Sequence, residues 1–325
     1  MTTPSRGAAA GHVPRQRPDT AAGDVPQARG NTAAGDVPQA RREVGAGPEL
    51  AFADWLSLRE AADAAARAVD LVAPVRRHLA GVDRVVVHDL GAGTGSMGRW
   101  LAPRLPGPQH WVLYDRDADL LVRARAGMVD RAGDGTPVTV ETRLRDITRL
   151  TATDLADATL VTASALLDML TGEELHRVVA ACADAGCPAL FTISVIGRVR
   201  FSPADPLDGE IAEAFNDHQR RTVDGRTLLG PDAVEVCVAA FERRGVPVTV
   251  WPSPWRLGAN QADLVAEWFA GWLAAACEQR PELVGRVRAY AARRRAQLAA
   301  GQLDVVVEHR DILAGYTGYG ITGGG

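Results

Sequence analysis

Apolar positions recur along this chain with two alternating periods. Over residues 52–79 they return at helical spacing: Trp55, Leu56, Ala62 and Ala66 mark one face, and Val69, Val72 and Leu79 a second, which predicts two helices. The β-branched run Val85-Val86-Val87 then predicts a strand, after which Met97, Trp100 and Leu101 again recur at helical spacing. Further strands are expected at residues 110–114, 138–142, 158–163, 189–195, 246–251 and 303–309, and helices at 120–128, 174–183, 232–244, 261–276 and 282–300. Seven strands interleaved with helices predict an α/β fold, a sheet flanked by helices with a helical N-terminal extension. Residues 197–230 fall outside the alternation; an insertion of that length in a compact domain reads as a lid or specificity segment. It carries Arg198, Arg200, His218, Arg220 and Arg221 with Phe201 and Phe215.

Between the first strand and its helix lies Asp89-Leu90-Gly91-Ala92-Gly93-Thr94-Gly95. Backbone without Cβ can adopt open dihedrals and let a ligand lie against it, and the following helix start offers unpaired N–H groups. The second strand ends in Asp115, where a carboxylate can accept both hydroxyls of a ribose. A nucleoside site is therefore expected. The stretch from Gly93 to Gly98 also satisfies G-x-G-x-x-G, the dinucleotide pattern. Its register is wrong, because Asp89-Leu90-Gly91-Ala92 intervene before the match, and counting from Gly91 puts Ser96 where the third glycine belongs.

With Asp89 just ahead of the glycines, D-L-G-A-G-T-G resembles motif I of the class I S-adenosylmethionine (SAM) dependent methyltransferases, and the resemblance extends over roughly residues 50–314. It implies a seven-stranded, mostly parallel Rossmann-like sheet, one of whose last two strands lies antiparallel. It also implies that Asp89 orients the methionine end of SAM, that Gly91, Gly93 and Gly95 line it, and that Asp115 holds the ribose. Asp146 would take the adenine amino group, the Ile147 backbone would meet the ring edge, and Ser164, opening the loop after the fourth strand, would join the cofactor-binding residues. Arg59, Asp63 and Arg67 step by four and share a helix face, as an ion-pair ladder would; under the resemblance Arg67 pairs with the SAM carboxylate. The loop over residues 164–170 would face the methyl group. Thr171-Gly172-Glu173-Glu174 is a capping box, which leaves Asp168 free of capping duty. Asp168 and His218 are the candidate catalytic side chains, with Trp255 and Arg256 on the rim of the acceptor site.

Composition narrows the chemistry further. All 36 basic residues are arginine, so a P-loop, a Schiff-base lysine and a Tyr-x-x-x-Lys pair are excluded. A net charge of −4 argues against a nucleic-acid partner. Cys182, Cys187, Cys237 and Cys277 are too far apart for a C-x-x-C pair and read as core residues; nothing visible requires a metal. Residues 1–47 duplicate TAAGDVPQAR and hold almost no apolar side chains, so they are expected to be disordered, as is the glycine-rich tail 315–325, leaving 48–314 as the domain. With neither a secretory core nor a spanning run, a cytoplasmic location and no membrane partner are expected. The expected activity is methyl transfer from SAM to a small-molecule acceptor. A nicotinamide-dependent oxidoreductase and a non-catalytic SAM-binding protein of the same fold are the alternatives.

Overall fold

The computed structural model describes residues 50–316, so the duplicated N-terminal segment and the tail from residue 317 lie outside the described residues. Parallel strands β1 (Val85–Leu90), β2 (Gln109–Asp115), β3 (Val138–Leu144), β4 (Leu160–Ser164) and β5 (Ala189–Ser202) stand in the order β3-β2-β1-β4-β5. The sheet continues through β10 (Asp304–Ala314), antiparallel to β5, to β8 (Val248–Pro252), antiparallel to β10. β9 (Trp255–Leu257) pairs with the other half of β10 and prolongs the β8 edge, so eight strands fill seven positions. A two-residue hairpin, β6 (Thr222–Val223) with β7 (Arg226–Thr227), stands apart. This is the Rossmann-like sheet that the resemblance implies, and it rests on strand order and register.

Helices cover both faces because the strands are apolar on both sides. On one face α2 (Val72–His78), α3 (Ser96–Leu101) and α4 (Ala118–Gly127) bury Val75, Trp100, Leu101 and Leu121 against Val87, Trp111 and Leu160. On the other, α5 (Gly172–Asp184) and α7 (Ala233–Glu242) bury Val178, Val179 and Phe241 against Val161, Phe191 and Ile312. The capping box forms: Thr171 Oγ1 accepts from the Glu174 N–H and Glu174 Oε2 from the Thr171 N–H. All four cysteines are buried, and none is in a disulfide. Among the described residues no helix is long and apolar enough to cross a membrane.

The long strands depart from expectation. β5 pairs with β4 only as far as Ser164↔Thr192 and then runs on through residues 193–202, roughly 30 Å of extended chain beyond the carboxyl edge of β4. β10 accompanies it, beginning at Asp304 and ending at Ala314 rather than His309. The insertion therefore starts at Pro203, not Gly197: Gly197 takes a φ of +71°, yet the ladder resumes at Val199 and Phe201. On this ribbon sits a third apolar cluster formed with α6 (Asp208–Gln219), α8 (Ala262–Gln279) and α9 (Val284–Ala299), where Phe201, Trp272, Phe269 and Tyr290 meet Val305 and Val307. The annex thus rises from the carboxyl edge, where ligands of open α/β sheets bind.

Candidate active site

The turn after β1 has the conformation its glycines permit: φ is +64° at Gly91, +54° at Gly93 and +84° at Gly95. A Cβ on Gly93 would lie 3.1 Å from Leu56 Cδ1, and one on Gly91 3.0 Å from Leu166 Cδ1. Leu56 belongs to α1 (Phe52–Ala66), which closes over the turn and is latched there. Arg99 pairs with Glu60 of α1 through both carboxylate oxygens, 2.7 and 2.6 Å, while donating to the Thr94 carbonyl. Asp115 Oδ2 accepts from the Gly93 N–H at 2.9 Å and Oδ1 from the Asp117 N–H at 3.0 Å. Burial pushes the Asp115 carboxyl up, opposed by these backbone donors. A carboxylate has about four acceptor positions, so acceptor capacity remains for a ribose hydroxyl.

Two buried groups of opposite sign stand beside this turn, each with one atom lacking a partner. Asp89 Oδ1 accepts from Thr162 Oγ1 at 2.7 Å, but its Oδ2 is buried and bare. Burial raises the Asp89 carboxyl to about 7, with the Thr162 hydroxyl and the Arg67 charge opposing. Arg67, at the end of α1, donates from Nη2 to Ser164 Oγ at 3.0 Å and Ser96 Oγ at 3.2 Å, and from Nε to Thr192 Oγ1 at 3.4 Å. Its Nη1 is buried with no partner. Burial pulls the guanidinium below its ordinary value, while Asp63, Asp311 and Asp89 oppose. Thr162 and Ser164 are two apart on β4 and so share a face, which sets the Asp89 carboxylate and the Arg67 guanidinium beside the same stretch of strand. Unsatisfied buried polar atoms cost on the order of 1–3 kcal/mol each, more when charged. Two of opposite sign fit a ligand that carries an anion and a cation close together.

The remaining expected cofactor residues are placed differently. Asp146 is exposed and caps the short turn Ile147–Arg149, accepting from the Thr148 N–H and hydroxyl. Ile147 is buried beside it at the carboxyl end of β3.

On the far side of Arg67, the helical ladder of α1 is an internal network rather than a surface one. Asp63 is buried; Arg59 donates to it from Nε (3.0 Å) and Nη2 (3.2 Å), and so does Trp255 Nε1 (2.9 Å). The Arg59 guanidinium lies over the Trp255 ring at 4.9 Å and the Trp55 ring at 5.8 Å. Trp255 is thus an inner wall, not a rim residue, whereas Arg256 is exposed. His309 stacks obliquely near Trp255, 5.3 Å between ring centres, with Nδ1 buried and unpartnered. Burial, with Arg59 adding to it, pushes its imidazole down to about 3. Asp168 is partly exposed in the loop after β4; burial raises its carboxyl, opposed by its own backbone and by Arg59.

His218 is not brought to this place. It is buried between α6 and α8, with Nε2 3.3 Å from Glu278 Oε2 and Nδ1 3.2 Å from Arg221 Nη1, and burial together with Arg221 lowers it to about 4. The insertion reaches the loop after β4 through other residues: Arg226 donates to the Met169 carbonyl and Glu174, and the Leu229 N–H to the Leu170 carbonyl. Thr192, His309 and Asp311 also line this region, and no motif marks them. The available signal was polar residues inside runs whose neighbours, Phe191 and Ile193 or Ile312 and Leu313, are core.

No protein-family model and no curated protein matches the chain. Solved structures similar to it include a cyclopropane synthase of Mycobacterium tuberculosis, 14% identical over 76% of this chain and 83% of that one, with a TM-score of 0.41. A geranyl diphosphate methyltransferase in complex with GPP and sinefungin is 12% identical over 76% and 77%, TM-score 0.38. A magnesium protoporphyrin IX methyltransferase of Synechocystis with bound S-adenosylhomocysteine (SAH) is 12% identical over 66% and 87%, TM-score 0.37. At these identities and TM-scores the likenesses decide nothing about chemistry, and the fold stands on its own topology.

Proposed function

We propose that the protein binds SAM and transfers its methyl group to a small-molecule acceptor. The observation that carries this reading is the pair of bare buried atoms, Arg67 Nη1 and Asp89 Oδ2, beside a glycine turn and a ribose-accepting carboxylate. A nucleoside joined to an amino acid satisfies all of them: carboxylate to Arg67, ammonium to Asp89, hydroxyls to Asp115. A dinucleotide does not, because its pyrophosphate would meet the Asp89 carboxylate. Asp146 and Ile147 would hold the adenine end.

Bound SAM supplies an electrophilic methyl on a sulfonium, so the reaction is a direct displacement. The protein's part is alignment and exclusion of water. Arg67, Ser164 and Asp89 hold one end and Asp115 the other, while α1, latched by Glu60 to Arg99, covers the turn. The acceptor enters from the annex side, bounded by Asp168, Arg59, Trp255 and His309. His309 stays a neutral imidazole there, suited to accepting or donating a hydrogen bond rather than to carrying a charge. The test is incubation of the protein with methyl-labelled SAM and a host metabolite extract, with mass-resolved detection of any product carrying one labelled methyl. Label appearing in a discrete small molecule supports the reading; label confined to SAM, under conditions in which SAM binds, leaves a binding protein without turnover.

A further inference from the structure

Asp311, near the end of the last strand and 244 positions from Arg67 in sequence, is entirely buried and touches no expected ligand position. Its Oδ2 accepts from the Ala68 N–H and its Oδ1 from the Ile193 N–H, both at 2.8 Å. Each bond falls one residue past a part of the arginine site: Ala68 follows Arg67, and Ile193 follows Thr192, whose hydroxyl accepts from Arg67 Nε. The register supplies the reason. β10 pairs Arg310↔Ser194 and then Ile312↔Phe191, so Thr192 and Ile193 together oppose Asp311 alone, as a β-bulge. Ile193 there takes a φ of +57°, a backbone state a β-branched residue avoids unless its surroundings hold it. The Asp311 carboxylate accepts the Ile193 N–H at that bulge.

We infer that Asp311 is a positioning residue: by gripping the backbone just after Arg67 and just after Thr192, it sets the direction of the Arg67 guanidinium and so the recognition of the ligand's carboxylate. This rests on the proposed reading that Arg67 meets an amino-acid carboxylate. Removing the charge should leave one of the two N–H groups facing an amide N–H, release the bulge and let Arg67 swing, with no effect on the nucleoside half of the site.

The test compares two ligands, SAH and 5′-methylthioadenosine, which shares its nucleoside and lacks the amino-acid end. Asp311→Asn should weaken SAH on the order of 10–100-fold and methylthioadenosine less than about twofold. Arg67→Ala should discriminate in the same way, and the double variant should be no weaker for SAH than Arg67→Ala alone. A purely structural role would weaken both ligands together; that result, or full additivity in the double variant, overturns the inference. If Asp311→Asn does not melt cooperatively, the comparison moves to an Ile193→Gly background, where glycine takes a positive φ without the carboxylate. Loss of cooperative melting there too would make Asp311 a folding residue and would equally overturn it. Failure of the wild-type protein to bind either ligand would count against the proposed function instead, and that outcome is read before any variant is compared.

Discussion

Asp89 gives the candidate site a pH signature that can be measured. Its carboxyl ionises at about 7 in the folded protein against an ordinary 3.8, chiefly because it is buried, with Oδ2 unpaired. Between those two values the unfolded chain has lost the proton and the folded chain keeps it, so stability contributed at this site falls as pH rises from about 4 to 7 and stays low above. The difference corresponds to on the order of 4 kcal/mol. A ligand ammonium placed on Oδ2 reverses the preference, since an adjacent cation favours the charged carboxylate. Ligand affinity should therefore rise with pH up to about 7. If binding restores the ordinary value, a titration at pH 5 meets a site ionised in only about one molecule in a hundred, and SAH should bind roughly 100-fold more weakly than at pH 7.5. Asp89→Asn keeps an oxygen for Thr162 but can no longer titrate; it should bind SAH weakly at every pH and be more stable than wild type near pH 8. Calorimetric titrations of both proteins at pH 5, 6, 7 and 7.5, with thermal melts alongside, are sufficient. A wild-type affinity that is flat across that range, or a slope that survives in Asp89→Asn, would refute the reasoning.

Gly93→Val should abolish SAH binding and lower the melting temperature, because Cβ would press on Leu56 at a φ of +54°; a melt with and without SAH reads both. Asp115→Ala should weaken SAH by on the order of 10–100-fold through loss of a charged hydrogen-bond acceptor, measured by the same calorimetry. His218→Ala should lower stability by leaving Glu278 and Arg221 facing a void between α6 and α8, while SAH affinity stays within about twofold of wild type; a tenfold change would place His218 nearer the site than its contacts do.

Strand and helix alternation made the sheet legible because β1 to β4 and the helices between them are apolar at their own periods. The glycine turn was legible because glycine adopts the positive φ at residues 91, 93 and 95 without the cost a side chain would add. Residues 197–202 were not, since a positive-φ glycine mid-strand reads as a break, although Val199 and Phe201 still alternate with Arg198 and Arg200. Spacing put Arg59, Asp63 and Arg67 on one face; it could not say that the face is internal, because the wall facing them, Trp255, comes 192 residues after Asp63. His218 illustrates the converse limit. A histidine in an insertion suggests chemistry, but packing of α6 on α8 decides where its nitrogens go. Asp311 lay furthest from view, because its role is defined by a bulge register and two backbone N–H groups, neither of which has a residue-type signature.

Recognition of a nucleoside bearing an amino-acid zwitterion should show in thermal melting of the wild-type protein with SAH and with NAD. SAH at about 100 times its dissociation constant should add ~2.7 kcal/mol, a rise of roughly 5 °C for a chain of this size, while NAD at equal concentration should leave the melting temperature unchanged. Stabilisation by NAD without stabilisation by SAH would contradict the account.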